Sequence, residues 1–421
     1  MEVELPKDLI RLILVKIPEV KFLVRLKLVS KSWKVVICSS RFAAEHHAKH
    51  YYYCGGVVGG SSNNKFLSSF LVVRTCPNPE VVDFFTLISM DKRTDTMNYI
   101  SEKKNIYMPY LDCRNEVTYP TTLAIDAGFG VYCLFEFNTN RVALWNPSMR
   151  ELKVLPPSPF YSVIETTYPD LRQHVYGFGH VGQHRNDDDG SFSYKVARLI
   201  IRRGPEQFQY FSMELYSSTT NAWKLLSDCY RVEYYGITQR RNSEWFVEGT
   251  NLNGRFHWLA WFSTQDPHII WFDYNTEEFG RIEVPGVVLE GRYNVAGSHI
   301  TIFDHRFICL VLNRTTRKRR RFYLEVWVLR EYGMGKSWTK EECMVGPIPG
   351  DMRLKGYWNS IQRLFLRDID KRNRLYLCDC QSSRIENLGI GSDEWEEMMV
   401  LPYTESLVSL NGNSDETRTE S

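Results

Sequence analysis

The chain has 421 residues, of which 43% are hydrophobic and 14% aromatic, which excludes an intrinsically disordered protein and predicts more than one globular domain. The net charge of +2 is unevenly distributed. Residues 1–50 contain ten Lys or Arg against five Asp or Glu, whereas the rest contains forty-two against forty-five. The slightly acidic body gives no indication of a nucleic-acid surface, and the basic N-terminal part favours a protein partner that carries acidic groups.

The ten cysteines are scattered and form no C-x-x-C pair, which is typical of buried free thiols in a reducing compartment. No apolar run is long enough to cross a bilayer, and the sequence opens on charged residues instead of a signal peptide. We therefore expect a cytoplasmic protein that makes no membrane contact.

The first forty-two residues predict three short amphipathic helices. Pro6 suits the first position of a helix, apolar residues recur at helical spacing from Leu9 to Ile17, and Ser30 is a candidate N-cap for the third helix. Such a small bundle cannot bury all of its apolar side chains. A partner or the following domain must therefore cover the remainder.

This stretch resembles the F-box, the motif by which substrate receptors dock on the Skp adaptor of a cullin ubiquitin ligase. The resemblance is carried by Leu5-Pro6, Asp8-Leu9, Ile13-Leu14, Ile17-Pro18, Val29-Ser30-Lys31-Ser32-Trp33 and Ser40-Arg41-Phe42. It implies that residues 1–50 bind the adaptor, and through it cullin, by apolar burial. The residues expected in the groove and core shared with the adaptor are Leu5, Pro6, Leu9, Ile13, Leu14, Ile17, Pro18, Val20, Leu23 and Trp33. An ordinary helical cap on a larger domain is the alternative interpretation.

Two features separate this region from the rest of the chain. His46 and His50 share a helix face, but no carboxylate or cysteine completes a ligand set, so we expect a solvated helix end and no metal. Gly, Ser and Asn dominate residues 55–64, which predicts a flexible linker over 51–65.

From residue 66 onward, short runs of β-branched and aromatic residues alternate with turn residues, which predicts an all-β domain. One unit recurs: an apolar strand, a polar turn and a second strand. Its six copies begin with the runs 84–88, 142–147, 213–216, 269–273, 324–329 and 375–379. The spacing predicts a β-propeller of about six blades in which each copy is an outer hairpin. A seven-bladed propeller and a less regular sandwich are the alternatives.

The β region is similar to the plant F-box-associated, kelch-like domain. The matching segments are 144–151, 176–179 with 194–198, 252–260 and 325–338. The resemblance implies a small all-α F-box followed by an all-β propeller over 66–410, with 411–421 as a disordered polar tail. Within this family, residues 325–338 are most similar to S-locus F-box proteins, pollen factors that recognise pistil ribonucleases.

Local motifs point to neither catalysis nor a cofactor. Residues 177–182 fit G-x-G-x-x-G, but a polar acidic stretch follows instead of the helix that a dinucleotide site requires. The basic run 317–321 lies between two predicted strands, so we interpret it as a solvated hairpin tip, with a nuclear localisation signal as the alternative. The histidines are dispersed with no exposed nucleophile nearby, and the recurring tryptophans are interpreted as structural.

These resemblances together imply a non-catalytic substrate receptor of a Skp–cullin–F-box ligase. Recognition is expected on propeller loops, with 158–173, 183–192, 313–321 and 347–358 as candidates. The candidate substrate contacts are Asp187, Asp188, Asp189, Arg319 and Arg320. The acidic triplet would suit a basic target such as an S-RNase. The alternatives are an adaptor-bound scaffold without degradation, a receptor for another target such as a defence or hormone regulator, and a propeller enzyme with a fused F-box-like cap.

Overall fold

The structure is a computed structural model, and it describes most of the chain between residues 5 and 410. The described ranges are 5–50, 69–75, 84–90, 100–106, 122–126, 130–136, 141–160, 173–181, 193–203, 209–226, 231–232, 249–261, 267–290, 293–303, 306–315, 321–349, 352–358, 362–368, 373–391 and 397–410.

Four short helices come first and form what we call the head. They are α1 (Lys7–Leu14), α2 (Val20–Leu26), α3 (Lys31–Cys38) and α4 (Ser40–His50). The three helices predicted over the first forty-two residues are present. A fourth helix, α4, was not predicted, and it follows α3 after a single residue. The shared core of the head contains Ile10, Leu14, Leu23, Ile37 and Phe42, all of them buried.

The remaining described elements form a six-bladed β-propeller, as the sequence predicts. Blade 1 consists of β25 (Glu397–Tyr403), β1 (Ser69–Thr75), β2 (Phe84–Met90) and β3 (Ile100–Ile106). Blade 2 consists of β4 (Thr122–Asp126), β5 (Tyr132–Glu136), β6 (Val142–Asn146) and β7 (Glu151–Val154). Blade 3 consists of β8 (Gln173–His180), β9 (Tyr194–Arg203), β10 (Gln209–Ser217) and β11 (Ala222–Leu226), and β12 (Arg231–Val232) also pairs with β10.

Blades 4 to 6 follow the same order from the first strand to the fourth. Blade 4 consists of β13 (Gly249–Leu252), β14 (Arg255–Trp261), β15 (Pro267–Asp273) and β16 (Phe279–Glu283). Blade 5 consists of β17 (Tyr293–Phe303), β18 (Phe307–Thr315), β19 (Arg321–Leu329) and β20 (Trp338–Pro349). Blade 6 consists of β21 (Met352–Trp358), β22 (Arg363–Asp368), β23 (Leu375–Asp379) and β24 (Ile385–Ile390).

The last strand of the chain closes the ring. Strand β25 pairs with β1 in antiparallel register, so that Tyr403 lies opposite Ser69, and it becomes the innermost strand of blade 1. Contacts between the innermost strands then run in a circle from β4 through β8, β13, β17 and β21 to β25 and back to β4. A closed ring leaves no open edge at its inner strands.

An apolar cluster lies between each pair of neighbouring blades. Between blades 1 and 2, for example, Phe85 meets Trp145 with ring centroids 4.8 Å apart, and both side chains are fully buried. Five further clusters fill the interfaces around the rest of the ring. The propeller core is therefore a circle of interfaces.

The predicted outer hairpins are confirmed in blades 2 to 6. In blade 1 the outer strand begins at Ile100, later than the predicted partner run 90–94. In blades 2, 4 and 6 the turn uses one device, since the side-chain oxygen of Asn146, Asp273 or Asp379 accepts backbone N–H groups two and three residues further on. The fourth residue after each has a φ between 56° and 60°. The turn therefore requires a side-chain acceptor at its first residue, which explains why Asn and Asp recur there.

Because the strands of each blade alternate in direction, the connections lie on two opposite faces. The connections from a first strand to a second and from a third to a fourth lie on one of these faces. In blade 1 this is the face where β25 ends at Tyr403, opposite Ser69. The helices pack there, since Met149 from the β6–β7 turn and Leu407 after β25 join the head's core. We call this the head face and the opposite side the far face.

Candidate functional site

Helix α1 is apolar on two faces, and only one of them is buried. At 100° per residue, Leu9, Leu12 and Ile13 fall within an arc of about 100°, and Ile10 and Leu14 occupy the next part of the circumference. Ile10 and Leu14 are buried, whereas Leu9, Leu12 and Ile13 are 47%, 50% and 50% exposed. A helix with an exposed row of large aliphatic side chains is suited to a protein partner.

A second set of exposed apolar side chains surrounds the turn between α2 and α3. Phe22, Leu28, Val29 and Val35 are all exposed, and Leu28 is 89% exposed. Helix α3 itself begins as predicted, because the Ser30 hydroxyl accepts the Trp33 backbone N–H at 3.2 Å. The head thus presents apolar surface from three helices.

The structure divides the predicted adaptor-binding residues into three groups. Leu5, Pro6, Leu9, Ile13 and Pro18 are exposed, Ile17 and Trp33 are half-buried, and Leu14, Val20 and Leu23 are buried in the head's core. The first group can touch a partner directly, and the last can only support the helices. The residue list missed the exposed Leu12, Leu28, Val29 and Val35, although helical spacing from Leu9 pointed to Leu12.

The exposed charge of the head is mostly positive. In residues 5–50 the acidic residues are Asp8, Glu19 and Glu45, and two of them lie within 4 Å of the Arg11 guanidinium. The exposed basic residues include Lys7, Lys16, Lys21, Arg25, Lys31 and Arg41. Such an excess of positive charge attracts an acidic partner over a distance of about 10 Å at moderate salt.

The prediction of a solvated helix end at residues 46–50 is wrong. His46 and His47 are buried, and the Nε2–H groups of His46 and His50 donate to the carbonyls of Ile17 and Val15, each at 2.8 Å. The histidines thus satisfy carbonyls at the end of α1, where a helix leaves acceptors open. Burial lowers the pKa of both His46 and His47 to about 4.

The propeller motifs serve packing. Gly177 and Gly179 lie in β8, and a Cβ on either would overlap the Tyr274 side chain from blade 4. Residues 177–180 of the G-x-G-x-x-G match thus belong to a strand that approaches another blade closely. The indoles of Trp223 and Trp338 donate to the carbonyls of Pro156 and Glu283 in neighbouring blades, which supports a structural role for the tryptophans.

The candidate substrate contacts Asp187, Asp188, Asp189, Arg319 and Arg320 lie outside the described residues. Of the strand ends that flank them, His180 and Tyr194 lie at the head face, whereas Thr315 and Arg321 lie at the far face.

One candidate loop was wrong. Residues 347–349 complete β20 and 352–358 form β21, so only residues 350–351 connect the two strands. The apolar side chains Met352, Leu354, Tyr357 and Trp358 are buried because β21 is an innermost strand.

Within the described ranges, no three His, Cys, Asp or Glu side chains lie close enough together to hold a metal ion. The described helices include none with the length and apolar character needed to span a membrane. All five cysteines whose state is described are free, and Cys133, Cys309, Cys378 and Cys380 are buried, as predicted.

Comparison with known proteins agrees with this architecture. A sequence profile described as "F-box associated beta propeller domain" matches residues 130–410. Two F-box proteins of Arabidopsis thaliana are each 24% identical, over 80% and 82% of this chain and 77% and 73% of their own lengths. An F-box/kelch-repeat protein of the same plant is 23% identical over 90% of this chain and 89% of its own length.

The head and propeller define a two-part protein in which a small helical unit sits on a β-propeller. The chain belongs to the plant F-box proteins that carry an F-box-associated β-propeller domain.

Proposed function

We propose that this protein is the substrate-recognition subunit of a Skp–cullin–F-box ubiquitin ligase. The observation that carries the proposal is the exposed apolar row of α1 on a head whose exposed charge is mostly positive. This surface has the chemistry that an acidic adaptor with an apolar groove would bind. In this proposal the subunit carries out no chemical step itself. It accelerates ubiquitin transfer only by holding the target close to the enzyme that carries ubiquitin.

Leu9→Ala combined with Ile13→Ala tests the docking surface. Both side chains are about half exposed, so the fold should survive while adaptor affinity falls by about 100-fold or more, as expected when two central apolar contacts are removed. Affinity for a purified plant Skp adaptor can be measured by titration calorimetry, with circular dichroism as the test of folding.

A matched control is Val154→Ala combined with Leu225→Ala, which shortens two exposed aliphatic side chains on β7 and β11 of the propeller. This pair should bind the adaptor like the wild type. Equal affinity of the α1 variant and the wild type would rule out docking through this face.

A scaffold that binds the adaptor without directing degradation is the second candidate function. Affinity purification under proteasome inhibition identifies the bound proteins. If this protein is a receptor, removing it should lengthen the half-life of a bound protein, and an unchanged half-life would favour the scaffold.

The narrower proposal is a pollen factor that recognises pistil S-RNases, and it is supported by the resemblance of residues 325–338 and of the overall layout to S-locus F-box proteins. It predicts pollen-restricted expression and direct binding of a pistil ribonuclease to the purified propeller. Expression throughout the leaf without such binding would leave a receptor for another target, such as a defence or hormone regulator. We place the protein in the cytoplasm, with nuclear import through residues 317–321 as the alternative.

A further inference from the structure

We propose that residues 404–410, here called the C-terminal segment, set the position of the adaptor-binding helices on the propeller. Glu405 and Leu407 are the positioning residues. The inference rests on the proposed function, because it concerns the geometry between the docked adaptor and the propeller that holds the target.

The propeller fixes the C-terminal segment through the β6–β7 hairpin. Asn146 is fully buried, and its Nδ2–H₂ group donates to the carbonyls of Ser406 and Val408, at 3.3 and 2.7 Å. The Glu151 carboxylate accepts the Leu410 backbone N–H at 2.7 Å. Because these backbone groups of the segment are bonded to the buried Asn146 and the half-buried Glu151, the segment has a defined path over the head face.

The same segment then holds the head. Helix α2 begins at Val20, and its N-cap residue Glu19 supplies no side-chain hydrogen bond. The Glu405 carboxylate takes that role, accepting the Val20 N–H at 2.6 Å. A carboxylate at a helix N-terminus is favoured by the helix dipole as well as by the bond.

Leu407 adds an apolar contact to this polar one. Its side chain is buried in the same cluster as Ile10, Leu14, Leu23 and Phe42, so a propeller residue completes the core of the head. Met149 from the turn that holds the segment packs against the same cluster. The head is therefore bonded to the propeller through residues almost 400 positions away in sequence, as the Val20–Glu405 separation of 385 shows.

The sequence of the covalent connection predicts little positional constraint, because Gly, Ser and Asn dominate residues 55–64. In our proposal the C-terminal segment therefore sets the distance between the adaptor and a bound target. Positioning within a narrow range is what makes proximity effective in transfer reactions.

Hydrogen–deuterium exchange on the full chain tests the inference with Glu405→Gln and Leu407→Ala. Both should speed exchange of the α2 amides, by about tenfold or more for Leu407→Ala, while exchange in blades 4 to 6 stays at the wild-type rate. The matched controls are Glu278→Gln and Leu225→Ala, which make the same changes at exposed positions of the propeller, and neither should alter α2.

An insertion of about four Gly and Ser residues between Gly59 and Gly60 separates the two connections. It should leave α2 exchange unchanged. Unchanged exchange in both Glu405→Gln and Leu407→Ala would overturn the inference. An insertion as disruptive as Leu407→Ala would do the same, because it would assign the positioning to the linker.

The functional readout is a ligase reconstituted with Skp adaptor and cullin, in which ubiquitin transfer to lysines of the propeller itself is followed. Glu405→Gln should keep adaptor affinity within about threefold of the wild type while altering the rate or the distribution of modified lysines. Wild-type transfer sites and rates in Glu405→Gln would count against the positioning role. Failure of the wild type to bind the adaptor would contradict the proposed function, whereas the exchange result would still decide whether the segment holds the head.

Discussion

At the scale of single residues, several buried and half-buried charged side chains of the propeller form ion pairs between or within blades. Glu277 accepts from Lys195 at 2.8 Å and from Lys224 at 2.5 Å, which links the β15–β16 turn of blade 4 to blade 3. These ion pairs and the Lys195 hydrogen bonds hold the pKa of Glu277 below its usual value despite partial burial. The Arg198 guanidinium and Glu214 carboxylate form an ion pair inside blade 3, directly opposite each other on β9 and β10.

Gly179 offers a residue-scale prediction. Gly179→Ala should destabilise the protein by about 1–3 kcal/mol, because the new methyl group would overlap the buried Tyr274 ring. Chemical denaturation followed by fluorescence measures the loss.

Gly286→Ala is the matched control, since a Cβ there has nothing within 4 Å. Its free energy of unfolding should stay within about 0.5 kcal/mol of the wild type. Equal stability of the two variants would show that β8 and Tyr274 do not pack as described.

At the scale of elements, the head combines an exposed apolar surface with its own buried core. Sequence spacing identified the apolar positions of α1, but both faces of that helix are apolar, so spacing alone could not say which face is exposed. The packing of α1 against α3 and of Leu407 against both decides it. The histidines of α4 were misassigned for a related reason, since their carbonyl partners at the end of α1 lie about 30 residues away in sequence.

The buried histidines predict a loss of stability in acid. Burial lowers the pKa of His46 and His47 to about 4, with the neighbouring His50, Lys49 and His180 acting in the same direction. In the unfolded chain both titrate near 6.5, so the unfolded state binds more protons between pH 6.5 and 4. Their contribution is complete above pH 6.5 and decreases as the pH falls.

Between pH 7 and pH 5 each histidine should reduce the free energy of unfolding by on the order of 2 kcal/mol. Urea unfolding followed by circular dichroism at pH 7, 6 and 5 measures the total. His47→Leu removes one titrating group and should flatten the pH dependence. A pH dependence equal to that of the wild type would mean that His47 is not buried as a neutral ring.

At the scale of the whole molecule, ring closure depends on the last strand. Strand β25 carries the buried Met398 and Val400 into the cluster between blades 6 and 1. Its removal would expose the edge of β1, and an unpaired edge favours association.

A truncation series tests this dependence. A chain that ends at Leu410 should unfold like the full-length protein, because its described contacts are complete. A chain that ends at Gly391 should lose the cooperative thermal transition and associate in size-exclusion chromatography with light scattering. A monomeric, cooperatively folding product ending at Gly391 would show that the ring closes without β25.

The sequence by itself determined the first three helices of the head, the outer hairpins of blades 2 to 6 and the turns within those hairpins. These features depend on neighbours in the chain: helical spacing, strand alternation, and side chains such as Asn146 and Asp273 that bond their own turns. The order of these signals was sufficient to predict a propeller of about six blades.

Only the tertiary structure decided how the pieces are joined. The pairing of β25 with β1, the capping of α2 by Glu405 and the assignment of loops to opposite faces each involve residues far apart in sequence. Local preference carries no information about such contacts, because their free energy is gained only when the whole ring has closed and the apolar clusters between blades are complete.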